Sequence, residues 1–403
     1  MKKTYILLII SLFFALNSSA QRQVSIRKFM DTSSVEFRSI YKLWQDYQND
    51  LFSNDFKETN HDLQKYWYKG DIEKYGSEFD LYKGAIGSYY IFGEFFIGIN
   101  KRNDTLFEIQ TSYYNNRSET YELFYVINIP VIKVNNEYKL SNMFSLKKKD
   151  FLKETIGFVD FYYLPNTKLD LKNAKQMVEK CKKVYNDFGF ETKDTMDYYI
   201  FEDLSTGYES FGIKVALGDY FDPTQKMIYG FAINSKLLFY TIGGEKYTHE
   251  FLHILCKKIR NNDDYRFFDE GVCSYFGDHQ GLDYNAQKSK LIDFLNLNPK
   301  VDLSISLTDA YKDKDNKFVS DSNLVEDRKI SKALISKEDQ TAYSYMIMAT
   351  ICEIAFKQGG YNKVKQMIID SKDGEEFYDT VDKHLGIKRK DVNNYIRSFL
   401  NKD

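Results

Sequence analysis

The sequence predicts an α+β protein built from two domains, and three observations carry that reading. The chain has 403 residues, more than one small core usually holds. Hydrophobic residues make up 43% and charged residues 28%, enough apolar material for a substantial interior. The pattern also changes along the chain: a helix followed by strand-forming runs up to about residue 155, and beyond about 245 almost nothing but helical periodicity.

The charge balance narrows the partners. Lys+Arg 56 against Asp+Glu 58 leaves a formal charge of −2, so no basic excess exists to hold a nucleic-acid backbone or an anionic membrane surface. Histidine is scarce, with only His61, His249, His253, His279 and His384.

Residues 1–20 read as a secretory signal. Lys2 and Lys3 precede an apolar run from Tyr5 to Leu16, and Ser18-Ser19-Ala20 supplies small residues for cleavage. The run is short for a bilayer span, no later segment is long and apolar enough to be one, and no lipobox cysteine follows. The expected product is exported, periplasmic or extracellular.

Residues 21–155 form the first module, helix followed by antiparallel sheet. A helix is expected over 33–50, with helical character again near 61–68, then strands from Ser88 to Ile99, Thr105 to Tyr114, Tyr121 to Val134 and Tyr138 to Leu140. The third run alternates around Pro130, and Asn135-Asn136 reads as a hairpin turn. Nothing in this module has catalytic spacing, and Lys147-Lys148-Lys149-Asp150 reads as a solvated loop near the boundary.

Residues 156–403 form the second domain. A strand over Gly157–Tyr163 precedes a helix from Leu171 to Phe188 that places Ala174, Met177, Val178, Cys181 and Val184 on one face. A strand at Asp197–Phe201, a glycine-bearing loop, and two strands at Met227–Ile233 and Leu237–Tyr240 follow. Helices are expected over 246–259, 268–277, 284–296, 341–357, 361–371, 375–384 and 389–400, with 311–340 a polar insertion. Cys181, Cys256, Cys273 and Cys352 are too scattered for a disulfide framework and read as buried thiols, with Cys256 and Cys273 the pair to test.

The chemistry concentrates in His249-Glu250-Phe251-Leu252-His253. Histidines at i and i+4 lie one turn apart on a helix face, so both imidazoles reach one Zn²⁺, and Glu250 reaches the water to be activated. The surrounding residues are apolar, and imidazoles and a carboxylate buried without partners are costly, which favours a metal. A catalytic zinc wants a third protein ligand and an open position. Glu270, within Phe267-Phe268-Asp269-Glu270-Gly271, fits that place; an acid solvated at a helix start is the competing reading. Asp269 and Ser274 could orient a ligand histidine or simply cap and pack. Cys256 shares the histidines' helical face, but a fourth protein ligand would close the site and leave Glu250 without a role.

His249-Glu250-x-x-His253 followed by Phe268-Asp269-Glu270-Gly271 resembles the gluzincin metallopeptidases of the peptidase-MA-like group and, more distantly, the zinc aminopeptidases. The family usually carries Trp-Leu-x-Glu-Gly, so this chain departs at the packing positions and keeps the ligand. The resemblance covers about 157–371 and implies a thermolysin-like catalytic domain: a small sheet with an edge strand at Tyr229–Asn234, a zinc helix and a helical C-terminal part. It implies peptide or protein substrates, zinc held by His249, His253 and Glu270, and Glu250 as general base and then acid. Ala342-Tyr343 heads a helix closing in Gly359-Gly360, which by the same resemblance makes Tyr343 the oxyanion stabiliser, with Tyr345 and His279 as alternatives. Two other readings stand beside it: a non-catalytic binding protein that keeps the fold, and a zinc hydrolase acting on another bond.

Overall fold

The computed structural model describes residues 33–53, 61–71, 92–115, 122–216, 230–234, 237–241, 244–262, 266–278, 282–297, 299, 303, 343–373 and 376–402. The expected export signal at 1–20, His279 and the insertion 311–340 lie outside them. The fold is mixed α and β, in two compact units: residues 1–150 with 205–225, and residues 151–204 with 226–403. Among the described residues no helix is long and apolar enough to cross a membrane.

The first unit opens with α1 (Val35–Ser53), whose start is capped by the Ser34 hydroxyl accepting the Phe37 N–H at 3.0 Å. Ile40, Trp44 and Tyr47, spaced by four and three, are fully buried on one face of α1. A 3-10 turn at His61–Tyr66 supplies the second helical stretch. Four strands follow: β1 (Phe92–Lys101), β2 (Leu106–Asn115), β3 (Glu122–Val134) and β4 (Glu137–Leu140), each antiparallel to the next. Asn135 and Asn136 turn β3 into β4 at φ 51° and 67°, the left-handed pair that a tight two-residue hairpin needs.

Two features of this part differ from expectation. The basic run is not a loop, because α2 (Met143–Lys147) continues into a 3-10 turn over Lys148–Asp150. The glycine-bearing loop after residue 201 is the short helix α4 (Leu204–Ser210) and the strand β8 (Ile213–Ala216). β8 pairs with β3 over Tyr125–Ile127, while β4 takes the same edge over Val131–Val134. Pro130 lies in the gap between them, where its carbonyl accepts the Ser141 N–H at 2.8 Å and its missing N–H breaks no ladder bond.

The second unit begins earlier than the expected boundary near 155. Leu152–Ile156 (β5) pairs antiparallel with Val159–Tyr163 (β6) through a two-residue turn in which Gly157 has φ 58°, so the single strand expected at 157–163 is a hairpin. The helix α3 (Leu171–Asp187) starts where the Asp170 carboxylate accepts the N–H groups of Lys172 and Asn173, and it buries the expected face from Ala174 to Val184. Then come β7 (Met196–Phe201), β9 (Gly230–Asn234) and β10 (Leu237–Thr241). The sheet order is β5-β6-β7-β10-β9, parallel at β6/β7 and β7/β10 and antiparallel at β9. Among the described residues β5 and β9 are therefore the two edges of this sheet.

Helices complete the unit: α5 (His249–Arg260), α6 (Phe267–Phe276), α7 (Tyr284–Leu297), α8 (Tyr343–Asp370), α9 (Phe377–Leu385) and α10 (Val392–Leu400). α8 changes direction at Gly359-Gly360, where Gly360 has φ 60°, matching the two helices expected there. One apolar core joins α3, α5, α6 and α8 to the inner face of the sheet through residues such as Phe161, Phe251, Phe268 and Met348.

Candidate metal centre

The site forms where α5 meets α6. α5 is amphipathic, with Phe251, Leu252, Leu255 and Ile259 in the core, and it ends at Asn261 in the left-handed conformation. Tyr185 on α3 anchors it from behind by donating its hydroxyl proton to the Phe251 carbonyl at 2.8 Å. His249 and His253 project from one face of this helix, their rings 4.9 Å apart and steeply inclined.

α6 brings Glu270 to the same point. Its carboxylate places Oε2 at 2.9 Å from His249 Nε2 and Oε1 at 3.5 Å from His253 Nε2. His249 and Glu270 are buried, and His253 is only 12% exposed. Burial alone would raise the Glu270 carboxyl, but the facing His253 and the hydrogen bonds from both rings hold it well below the usual carboxylate range. Burial likewise opposes a charge on His253, and the Glu270 carboxylate overrides it, lifting this imidazole to about 9.

His249 is oriented from its other side. Its Nδ1–H donates to the Asp278 backbone carbonyl at 2.8 Å, which turns Nε2 toward Glu270 and His253. The Asp278 carboxylate in turn accepts the Thr248 N–H at 3.3 Å and the Thr248 hydroxyl at 3.0 Å, tying the segment after α6 to the start of α5. Gly277 permits this approach: a Cβ there would stand 2.7 Å from Thr248 Oγ1. Asp278 escaped the sequence reading, although it directly follows the glycine that ends α6.

Asp269 pairs with Arg260. It receives both terminal nitrogens of Arg260 at 2.6 Å, in a pair only 3% and 2% exposed, and also accepts the Arg266 N–H at 3.2 Å. This fork fixes the end of α5 to the start of α6 one residue before Glu270. Asp373 caps α6 by accepting the Phe267 N–H at 2.8 Å. Gly271 lets α6 lie against α8, since a Cβ there would meet the Met348 carbonyl oxygen at 2.5 Å. Ser274 is fully buried and its hydroxyl has no hydrogen-bond partner among the described residues, so it orients no ligand.

Glu250 follows His249 on α5 and is half-buried. Tyr343 is the first residue of α8, and its side chain lies outside what the structure describes. Tyr345 is half-buried, with its ring edge-on to Phe267 at 5.8 Å, a packing contact. All four cysteines are buried free thiols. The sulfur near the histidines belongs to Cys273: His249, His253 and Cys273 form a group able to hold a metal ion, with ligand atoms all within 4.8 Å of one another.

The donors suit Zn²⁺. Two imidazole nitrogens, a carboxylate and a thiol are its ordinary ligands, and an imidazole held by a carbonyl through its second nitrogen is the usual orienting arrangement.

No family model matches the chain, and no curated protein matches it. Among solved structures it is similar to native yeast LTA4 hydrolase at 15% identity and a TM-score of 0.30. The match covers 61% of this chain and 38% of that one, so the chain spans well under half the length of that protein.

Proposed function

We propose that the chain is an exported, zinc-dependent metallopeptidase of gluzincin type that hydrolyses peptide bonds. The observation that carries this reading is the Glu270 carboxylate facing the Nε2 atoms of both His249 and His253, at 2.9 and 3.5 Å. His249, His253 and Glu270 would hold the ion, and when bound it supplies Lewis acidity at neutral pH. Glu250, on the turn between the two histidines, takes a proton from the attacking water and returns it to the leaving amine. Tyr343, at the start of α8, is the group proposed to donate a hydrogen bond to the developing oxyanion. The Asp278 carbonyl keeps His249 in the tautomer whose Nε2 can bind, and the Arg260–Asp269 fork holds Glu270 in register with the histidines.

Cys273 favours a second reading, in which four protein donors make a closed structural site and the chain binds a partner without cleaving it. Cleavage of a peptide library with and without chelator separates the two. The peptidase reading expects chelator-sensitive cleavage, and a metal-loaded protein that cleaves no member of the library supports the binding reading.

A further inference from the structure

Cys273 stands out once the ligand set is assembled. It follows Glu270 by three residues, one turn along α6, so both side chains leave the helix on the face turned toward α5. Its sulfur and the ring nitrogens of His249 and His253 all lie within 4.8 Å of one another, a grouping that could hold a metal ion. Cys256 shares the histidines' helical face but is absent from that group among the described residues. The Cys273 side chain is fully buried, so exposure gives it no reactivity to account for its place beside two imidazoles.

We propose that Cys273 is a fourth protein donor to the ion bound by His249, His253 and Glu270, so that the resting centre is closed by a thiolate. The proposal rests on the metal-site reading of those three residues. When the ion enters, the S–H bond breaks, its proton passes to solvent and a sulfur–metal bond forms, with no change of oxidation state. Three donors leave a fourth position for water, and four leave none. Cys273 therefore competes with water for that position, and Glu250 meets its proton donor only in the fraction of molecules from which the sulfur has withdrawn.

Cobalt(II) tests this directly. The full-length chain, kept reduced by a phosphine so that both thiols stay free, is loaded with Co²⁺ alone and its absorption spectrum recorded. The proposal expects visible d–d bands from the bound ion together with an intense near-ultraviolet thiolate-to-cobalt charge-transfer band. Cys273→Ser should lose the charge-transfer band and keep the d–d bands, and Cys256→Ser should keep both. Bound cobalt without the charge-transfer band in the unaltered protein overturns the thiolate and leaves the His249, His253 and Glu270 site standing. No bound cobalt by equilibrium dialysis overturns both. A band lost in Cys256→Ser and kept in Cys273→Ser overturns the assignment to Cys273. Because the unaltered chain decides the main point, the test survives a variant that fails to fold.

Discussion

The Asp278 backbone carbonyl accepts the His249 Nδ1–H at 2.8 Å, while the side chain of the same aspartate holds the first N–H and the hydroxyl at Thr248. One residue thus positions both the start of α5 and the ring that opens it. Replacing Asp278 with Ala frees the segment that carries the carbonyl. Outer partners of this kind typically contribute about 10–100-fold to metal affinity. A competition titration against a chromophoric chelator should show zinc affinity about 10–100-fold weaker in Asp278→Ala, with unchanged far-ultraviolet circular dichroism.

The Arg260–Asp269 pair is almost wholly buried and bidentate. Breaking such a pair from one side leaves an uncompensated charge and costs about 3–5 kcal/mol, whereas replacing both partners by apolar residues of similar size is often neutral. Arg260→Met is expected to lower the urea midpoint strongly. The double variant Arg260→Met with Asp269→Leu should recover much of the loss, and a double variant no more stable than the single one would contradict the pair's role.

Gly271 has no room for a methyl group against the Met348 carbonyl. Overpacking of this kind costs about 1–3 kcal/mol. Gly271→Ala should lower the melting temperature, and it should also weaken zinc binding, because the displaced helix turn carries Glu270. A calorimetric scan together with the chelator competition checks both effects.

Away from the site, Asp370 accepts Lys383 Nζ at 2.6 Å and His384 Nε2 at 2.8 Å. The hydrogen bond from Lys383, and then that from His384, holds its carboxyl below the ordinary value of 3.8. A carboxyl lowered on folding contributes stability above its unfolded-state value, and that contribution is lost as the pH falls through the lower folded-state value. Asp370→Asn should therefore melt below the unaltered protein at pH 7, and the gap should close in acid. A gap that does not depend on pH would show that the carboxylate charge is not responsible.

Much of the centre was legible from local spacing. The i and i+4 histidines, with Glu250 between them, fall on one helix face by geometry alone, and the apolar residues around them place that face inside. Glu270 could be named because a short apolar helix with an acid near its start follows α5 closely. Cys273 was read only as a buried thiol to test with Cys256, and Asp278 and Arg260 were not recovered, because their contacts depend on how α5 and α6 pack, and no single-element periodicity encodes that. The sheets show the same division. β2 and β3 could be read from alternation, and the β3–β4 turn from its two asparagines. The β5–β6 hairpin was hidden because Gly157 and Phe158 sit inside a continuous strand-like run. β8 was missed because its partner, β3, lies far earlier in the chain, so nothing local marks the four-residue segment as a strand.

Zinc content and peptide cleavage, measured side by side on the unaltered protein and on Glu250→Gln, decide whether the centre is a peptidase site. Glu250 is not among the proposed ligands, so both proteins should hold about one zinc per chain. Only the unaltered protein should cleave peptides, because the variant cannot take the proton from water. Equal cleavage by the two proteins would contradict Glu250 as the base and, with it, the zinc-peptidase mechanism.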